Sequence, residues 1–183
     1  MAKVIDSLDD ALIDWIAEQR VFFVATAPSG PGGHVNLSPK GYDAFRVIDP
    51  VTVAYLDLTG SGVETIAHLR DNGRITIMFC AFEGPPRILR LFGAGEVLLP
   101  GTEAYDELAP RFGSKAGTRA IIRARLDRLQ TSCGYSVPFM DFREERPTLA
   151  QWAARKDDAE LDAYRAEKNA MSIDGLPSLG GLD

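Results

Sequence analysis

Apolar and polar positions along the chain follow two periods. Leu8, Leu12, Trp15 and Ile16 recur at helical spacing behind Ser7, a capping type of residue, with Asp10 in the first turn. They predict an amphipathic helix over 8–19. Val21–Ala27 (VFFVATA) is β-branched and aromatic and predicts a buried strand. Pro28–Gly33 is a turn by composition and His34–Lys40 a second strand, so the two strands form a hairpin. Val51–Leu58 (VTVAYLDL) predicts a third strand, ended by Thr59–Gly62 (TGSG). A short helix follows over Val63–Arg70, with Ile66 and Leu69 inward and Asn72-Gly73 as its stop. Arg74–Ala81 is a strand, and Arg87–Leu99 is a long strand bent at Gly93 and Gly95.

Beyond it, Thr102–Leu108 predicts a short helix. Ile122, Ala124 and Leu126 alternate with Arg123, Arg125 and Asp127, the pattern of a half-exposed strand. Leu149–Lys156 and Asp158–Asn169 read as helices, and the tail after Ile173 as a segment ordered by its contacts. About six strands without regular strand–helix alternation argue against a doubly wound parallel sheet. They favour an antiparallel barrel with peripheral helices, a mainly β fold. No linker divides the chain, so 1–183 is expected to be one domain with an N-terminal helix and a C-terminal helical extension.

Composition narrows the function classes. The 183 residues are 45% hydrophobic and 25% charged, an ordinary globular balance. A net charge of −6 disfavours non-specific nucleic-acid binding. The densest basic stretch, Arg119–Arg128, is interrupted by apolar residues and reads as one face of an element. The two cysteines, Cys80 and Cys133, have neither metal-type spacing nor the number for a disulfide scaffold. No apolar run reaches the length of a membrane span. A cytoplasmic location and no membrane partner are expected.

Four segments are candidates for chemistry. In His34–Gly41 (HVNLSPKG), Asn36, Ser38 and Lys40 stand at a strand end. Pro39 marks the strand as an edge, so the segment is either a ligand border or an irregular edge with a solvated lysine. Thr59–Thr65 (TGSGVET) runs from a strand end into a helix start. It is either an anion site of amides and hydroxyls or a capped tight turn, and it is neither a Walker loop nor a dinucleotide fingerprint. Arg87 and Arg90 either face opposite sides of a strand, one toward a ligand, or are both solvated. Ser132–Asp141 holds Cys133 and Tyr135 without a partnered histidine. His34 and His68 are the only histidines; His68, within the short helix, reads as a surface or packing residue.

The order of these segments is more informative than any one of them. HVNLSPKG, then VAYLDLTGSGVETIAHLRDNGRITIMF, then GPPRILRLFGAGEV resembles the pyridoxamine 5′-phosphate oxidase-like, FMN-binding split-barrel family. SCGYSVPFMDFRE and AYRAEKNAMSIDGLPSL resemble an oxidase-related branch of it. The resemblance implies a homodimer with FMN at its interface. It also implies that Asn36, Leu37 and Ser38 border the isoalloxazine ring and that Thr59, Gly60 and Ser61 follow the ribityl chain. Where the true oxidases carry an Arg-Lys pair for the phosphate, this chain has Glu64 and Thr65. The phosphate is then expected to meet Ser61, Thr65 and a cation from Arg87 or Arg90. Lys40 matches the oxidase substrate lysine, and Tyr135 is a second substrate-side candidate, whereas the C-terminal Trp and Arg motif of the oxidases is not evident. The implied activity is an FMN-dependent oxidoreductase acting on a small molecule. The alternatives are a non-catalytic flavin-binding sensor or carrier, or a relative that uses deazaflavin or haem. No metal site is expected.

Overall fold

A computed structural model describes residues 3–179. The chain order is β1 (Lys3–Ile5), α1 (Asp10–Glu18), β2 (Phe22–Thr26), β3 (Asn36–Lys40), β4 (Phe45–Asp49), β5 (Thr52–Leu58), α2 (Glu64–Asn72), β6 (Arg74–Cys80), β7 (Ile88–Leu98), α3 (Glu103–Leu108), β8 (Thr118–Ser132), α4 (Thr148–Ala154) and α5 (Asp158–Lys168). One antiparallel sheet of eight strands has the order β3-β2-β6-β7-β8-β5-β4, with β1 added to β8. The ends of that path, β3 and β4, do not pair with each other.

The 15-residue β8 organises the sheet. It pairs with β7 along its length, with β5 through its first half and with β1 near its end. The alternation expected over Ile122–Asp127 holds, and the strand also extends back to Thr118. Over Arg119–Ile122 the strand is buried on both faces. Ala120 and Ile122 join the main core, while Ile121 packs with Leu108 and Phe112 from the α3 region on the other side. An alternating pattern marks a strand with one wet face, and here α3 covers the second face.

Inside the main core, Phe22 lies 5.4 Å from Tyr55 and 5.1 Å from Phe45 between ring centroids, both edge-on. Burying each such ring contributes about 1.5–3 kcal/mol. At the bend of β7 the register slips between Phe92 and Gly93. A Cβ built on Gly93 would stand 2.1 Å from the Arg125 carbonyl oxygen, so the bulge requires glycine. Gly73, with φ of 71°, closes α2 in the left-handed conformation, as the Asn72-Gly73 signal predicts.

Two local expectations are corrected. The first helix is capped by Asp9, whose carboxylate accepts the Leu12 amide at 2.9 Å, and not by Ser7. Leu8 precedes this cap and lies outside the helix, its amide donating to the Pro50 carbonyl and its side chain packing in the core. The strand count of six omits β1 and β4. Both are short edge segments whose residues carry no clean alternation. Of the two readings of His68, surface or packing, the structure supports packing, since the residue is fully buried in α2. No helix among the described residues is long and apolar enough to cross a membrane.

Candidate functional site: a cleft at the split edge of the sheet

Because β3 and β4 remain unpaired, a cleft opens between β3 and the end of β5. Its volume is about 350 Å³. Asn36, Ser38 and Lys40 of β3 form one wall, and Leu56, Asp57 and Leu58 of β5 form the opposite one. The turn after β5, with Gly60 and Gly62, leads into Glu64 and Thr65 at the start of α2 and closes one end. Leu149 of α4 borders the cleft as well. Tyr42 and Asp43, just past β3, both hold left-handed backbone, and the Tyr42 hydroxyl donates to the Arg146 carbonyl.

The floor of the cleft is ionic. Asp57 is 1% exposed and accepts from Arg119 of β8 at 2.7 Å and from the Lys40 ammonium at 3.4 Å. Burial alone would raise the Asp57 carboxyl, but the Arg119 guanidinium and the Lys40 ammonium beside it prevail and hold its pKa below the ordinary value of 3.8. Arg119 spends its remaining N–H groups on the Gly62 carbonyl, 3.1 Å away, and on Asn169 Oδ1, 2.9 Å away. Its donors are therefore committed to the protein. Lys40 is the cleft-lining cation with donors to spare among the described residues.

A neutral network sits beside this pair. The Asn36 amide nitrogen donates to Thr65 Oγ1 at 3.0 Å and to Thr26 Oγ1 at 3.3 Å, and its oxygen accepts from Ser38 at 2.9 Å. Behind Asn36, Thr26 Oγ1 lies 3.0 Å from His68 Nδ1. Buried polar groups need such partners. His68 Nε2 and the Tyr55 hydroxyl lack one among the described residues. Burial, ahead of the nearby Asp57 charge, pushes the Tyr55 phenol well above its ordinary pKa, so it stays protonated.

At the turn, Glu64 folds back on the start of its own helix. Its carboxylate accepts the Val63 amide at 3.0 Å and the Ile173 amide at 3.4 Å. The chain beyond α4 lies against the same turn. Arg165 donates to Thr59 Oγ1 at 3.1 Å, and Asn169 donates to the Gly60 carbonyl at 2.9 Å. Farther along, Asp174 accepts from the His34 backbone amide at 2.8 Å.

The structure thus brings Asn36, Ser38, Lys40, Gly60 and Thr65 to one cleft. Thr59 is buried behind the turn, Ser61 is exposed on its outer side, and Leu37 points away from the cleft at 63% exposure. Arg87 stacks over the Trp15 ring at 5.3 Å, and Arg90 donates to the Ser132 hydroxyl at 3.2 Å; neither lines the cleft of its own chain. Tyr135 lies elsewhere, 82% exposed. Neither histidine lines the cleft.

Sequence reasoning missed Asp57, Arg119 and Asn169. A carboxylate inside the apolar run VTVAYLDL is a signal, because a buried acid demands a cation. Arg119, from the stretch Arg119–Arg128 that reads as one face of an element, supplies it and is itself buried. Nothing in the local sequence marks Asn169, whose carbonyl partners in the turn lie 109 and 108 positions away.

Comparison with known proteins agrees with this architecture. The pyridoxamine 5′-phosphate oxidase family pattern matches residues 8–133. The ustO protein of Aspergillus flavus, named a pyridoxamine 5′-phosphate oxidase family protein, is 42% identical over 95% of this chain and 76% of its own length. Among solved structures, HupZ of Group A Streptococcus superposes with a TM-score of 0.51 at 26% identity. That match covers 67% of this chain and 91% of HupZ. A family pattern spanning most of the chain, and a relative this similar along almost all of it, carry one conclusion: the chain belongs to the pyridoxamine 5′-phosphate oxidase family.

Proposed function

We propose that this chain is an FMN-binding flavoprotein, a homodimer, and an oxidoreductase acting on a small molecule. The observation that carries the reading is the cleft itself, which sets a hydrogen-bonding wall of Asn36 and Ser38 against apolar Leu56 and Leu58 and ends in a glycine turn. Its size falls in the range of small-molecule sites, about 300–1,000 Å³. A planar ring with one polar edge suits such walls. In this reading Asn36 and Ser38 meet the ring edge and the Thr59–Ser61 turn follows the ribityl chain. The Thr65 hydroxyl and the first amides of α2 face the phosphate. Arg87 and Arg90 lie outside the cleft of their own chain, so a phosphate contact from either requires the second protomer.

The bound flavin would supply the electron chemistry, and the chain supplies position and electrostatics. Lys40, with spare donors at the cleft, is the group that offers charge to an anionic substrate. Support for the dimer comes from exposed apolar side chains. Tyr135 and Phe139 are 82% and 83% exposed, and Met140 and Phe142 continue the patch.

The test is the visible spectrum of the purified protein, followed by titration with FMN. Flavin absorbance, or uptake at micromolar FMN, is the expected result. A haem spectrum, or no uptake, overturns the reading. Turnover with a reductant and an electron acceptor then separates an enzyme from a carrier.

A further inference from the structure

The C-terminal part of the chain lies beyond the family pattern, which stops at residue 133, yet it reaches the cleft. Asn169 is fully buried there. Its amide nitrogen donates to the Gly60 carbonyl at 2.9 Å and the Ser61 carbonyl at 3.4 Å, while its oxygen accepts from Arg119 at 2.9 Å. Arg119 in turn holds the Gly62 carbonyl through both terminal nitrogens at 3.1 Å. Three consecutive carbonyls of the turn are therefore drawn to one side.

In a trans peptide the carbonyl and the following N–H point in opposite directions. Carbonyls turned toward Asn169 and Arg119 leave the amides of Ser61, Gly62 and Val63 on the far side. The Val63 amide is taken by Glu64. Those of Ser61 and Gly62 make no hydrogen bond to the described residues, and both residues are exposed. Two adjacent free amides, fixed by buried partners, are donors for the oxygens of a hydroxylated or phosphorylated chain.

We propose that Asn169 is a positioning residue of this site, holding the Gly60–Gly62 turn so that the Ser61 and Gly62 amides meet the polar chain of the ligand. The inference rests on the flavin reading above. It assigns the ribityl-phosphate end of FMN a support built by the C-terminal segment.

The experiment is FMN titration, followed by flavin fluorescence and absorbance, on the native protein and on Asn169→Ala, Asn169→Asp and Asp174→Ala. Thermal unfolding of each without flavin runs in parallel. Asn169→Asp keeps an acceptor for Arg119 and loses the donor to both carbonyls. Asp174→Ala releases the same segment from His34 without touching the turn. Both Asn169 variants should weaken FMN about tenfold, as expected for one or two lost hydrogen bonds, and leave the band of the bound flavin in place, because the turn does not hold the isoalloxazine ring. Asp174→Ala should stay within about twofold of native. Native-like binding by both Asn169 variants overturns the inference, as does an equal loss in Asp174→Ala, which would reduce the effect to general loosening. A native protein that takes up no flavin removes the functional reading, and this inference with it.

Discussion

Asp57 and Arg119 meet at 2.7 Å with side chains 1% and 3% exposed, an ion pair enclosed between β5 and β8 directly beneath the cleft. Such a pair adds little over a well-packed apolar substitute, but removal of one partner strands the other charge without water. Its presence makes the cleft floor and the sheet interior mutually dependent.

Asp57→Asn or Arg119→Met should therefore destabilise the protein by about 3–5 kcal/mol, the cost of breaking a buried pair. Urea denaturation followed by circular dichroism measures it. A loss under about 1 kcal/mol, typical of an exposed pair, would show that the two residues are hydrated in solution.

The same pair sets an acid limit. The Asp57 carboxyl is held below 3.8 in the folded chain, so the unfolded chain takes up its proton first as pH falls. Its contribution is fully present above that unfolded value and is lost as pH drops through the lower folded value. Stability measured from pH 6 to pH 3 should decline in the native protein at the acid end. In Asp57→Asn that part of the slope should be missing, and an unchanged slope would assign the acid limit to other carboxylates.

Gly93→Ala should cost about 1–3 kcal/mol, the range for overpacking, because the new methyl meets the Arg125 carbonyl. Gly30→Ala is the control, since nothing lies within 4 Å of the added atom. Thermal melts of both variants separate the bulge requirement from a general intolerance of alanine.

Light scattering should give the mass of a dimer, and Phe139→Asp should shift it toward monomer, because a carboxylate on an exposed aromatic patch opposes its burial. A native monomer at assay concentration would leave the patch without the proposed partner.

Neither cysteine is expected to matter for flavin uptake. Cys80 is buried in β6, where burial raises its thiol pKa, and exposed Cys133 lies outside the cleft. Cys133→Ser should bind FMN as the native chain does. Loss of turnover with flavin retained would reveal a thiol step.

Elements with strong local signals were legible from the sequence. β2 and the start of β6 follow from their β-branched and aromatic runs, and the end of α2 follows from Asn72-Gly73. At the cleft, Pro39 left His34–Gly41 open between a ligand border and an irregular edge, and it was the family resemblance that singled out Asn36, Ser38 and Lys40. The register that sets Asp57 and Arg119 side by side was not legible, since strand pairing is fixed by the whole sheet. Leu37 shows the same limit. Its neighbours Asn36 and Ser38 enter the cleft, and the period of a strand turns it outward.

The turn between β5 and α2 is tied to side chains that follow it by more than a hundred positions. Contacts of such separation must offset the entropy of closing a long loop. Strands β2 to β8 pair across shorter separations and can thus join while the turn is still unpinned, and the cleft is complete only when α5 docks. Under the proposed function, ligand capture would then follow the docking of α5, and a chain interrupted before α5 would offer the sheet with an unset cleft.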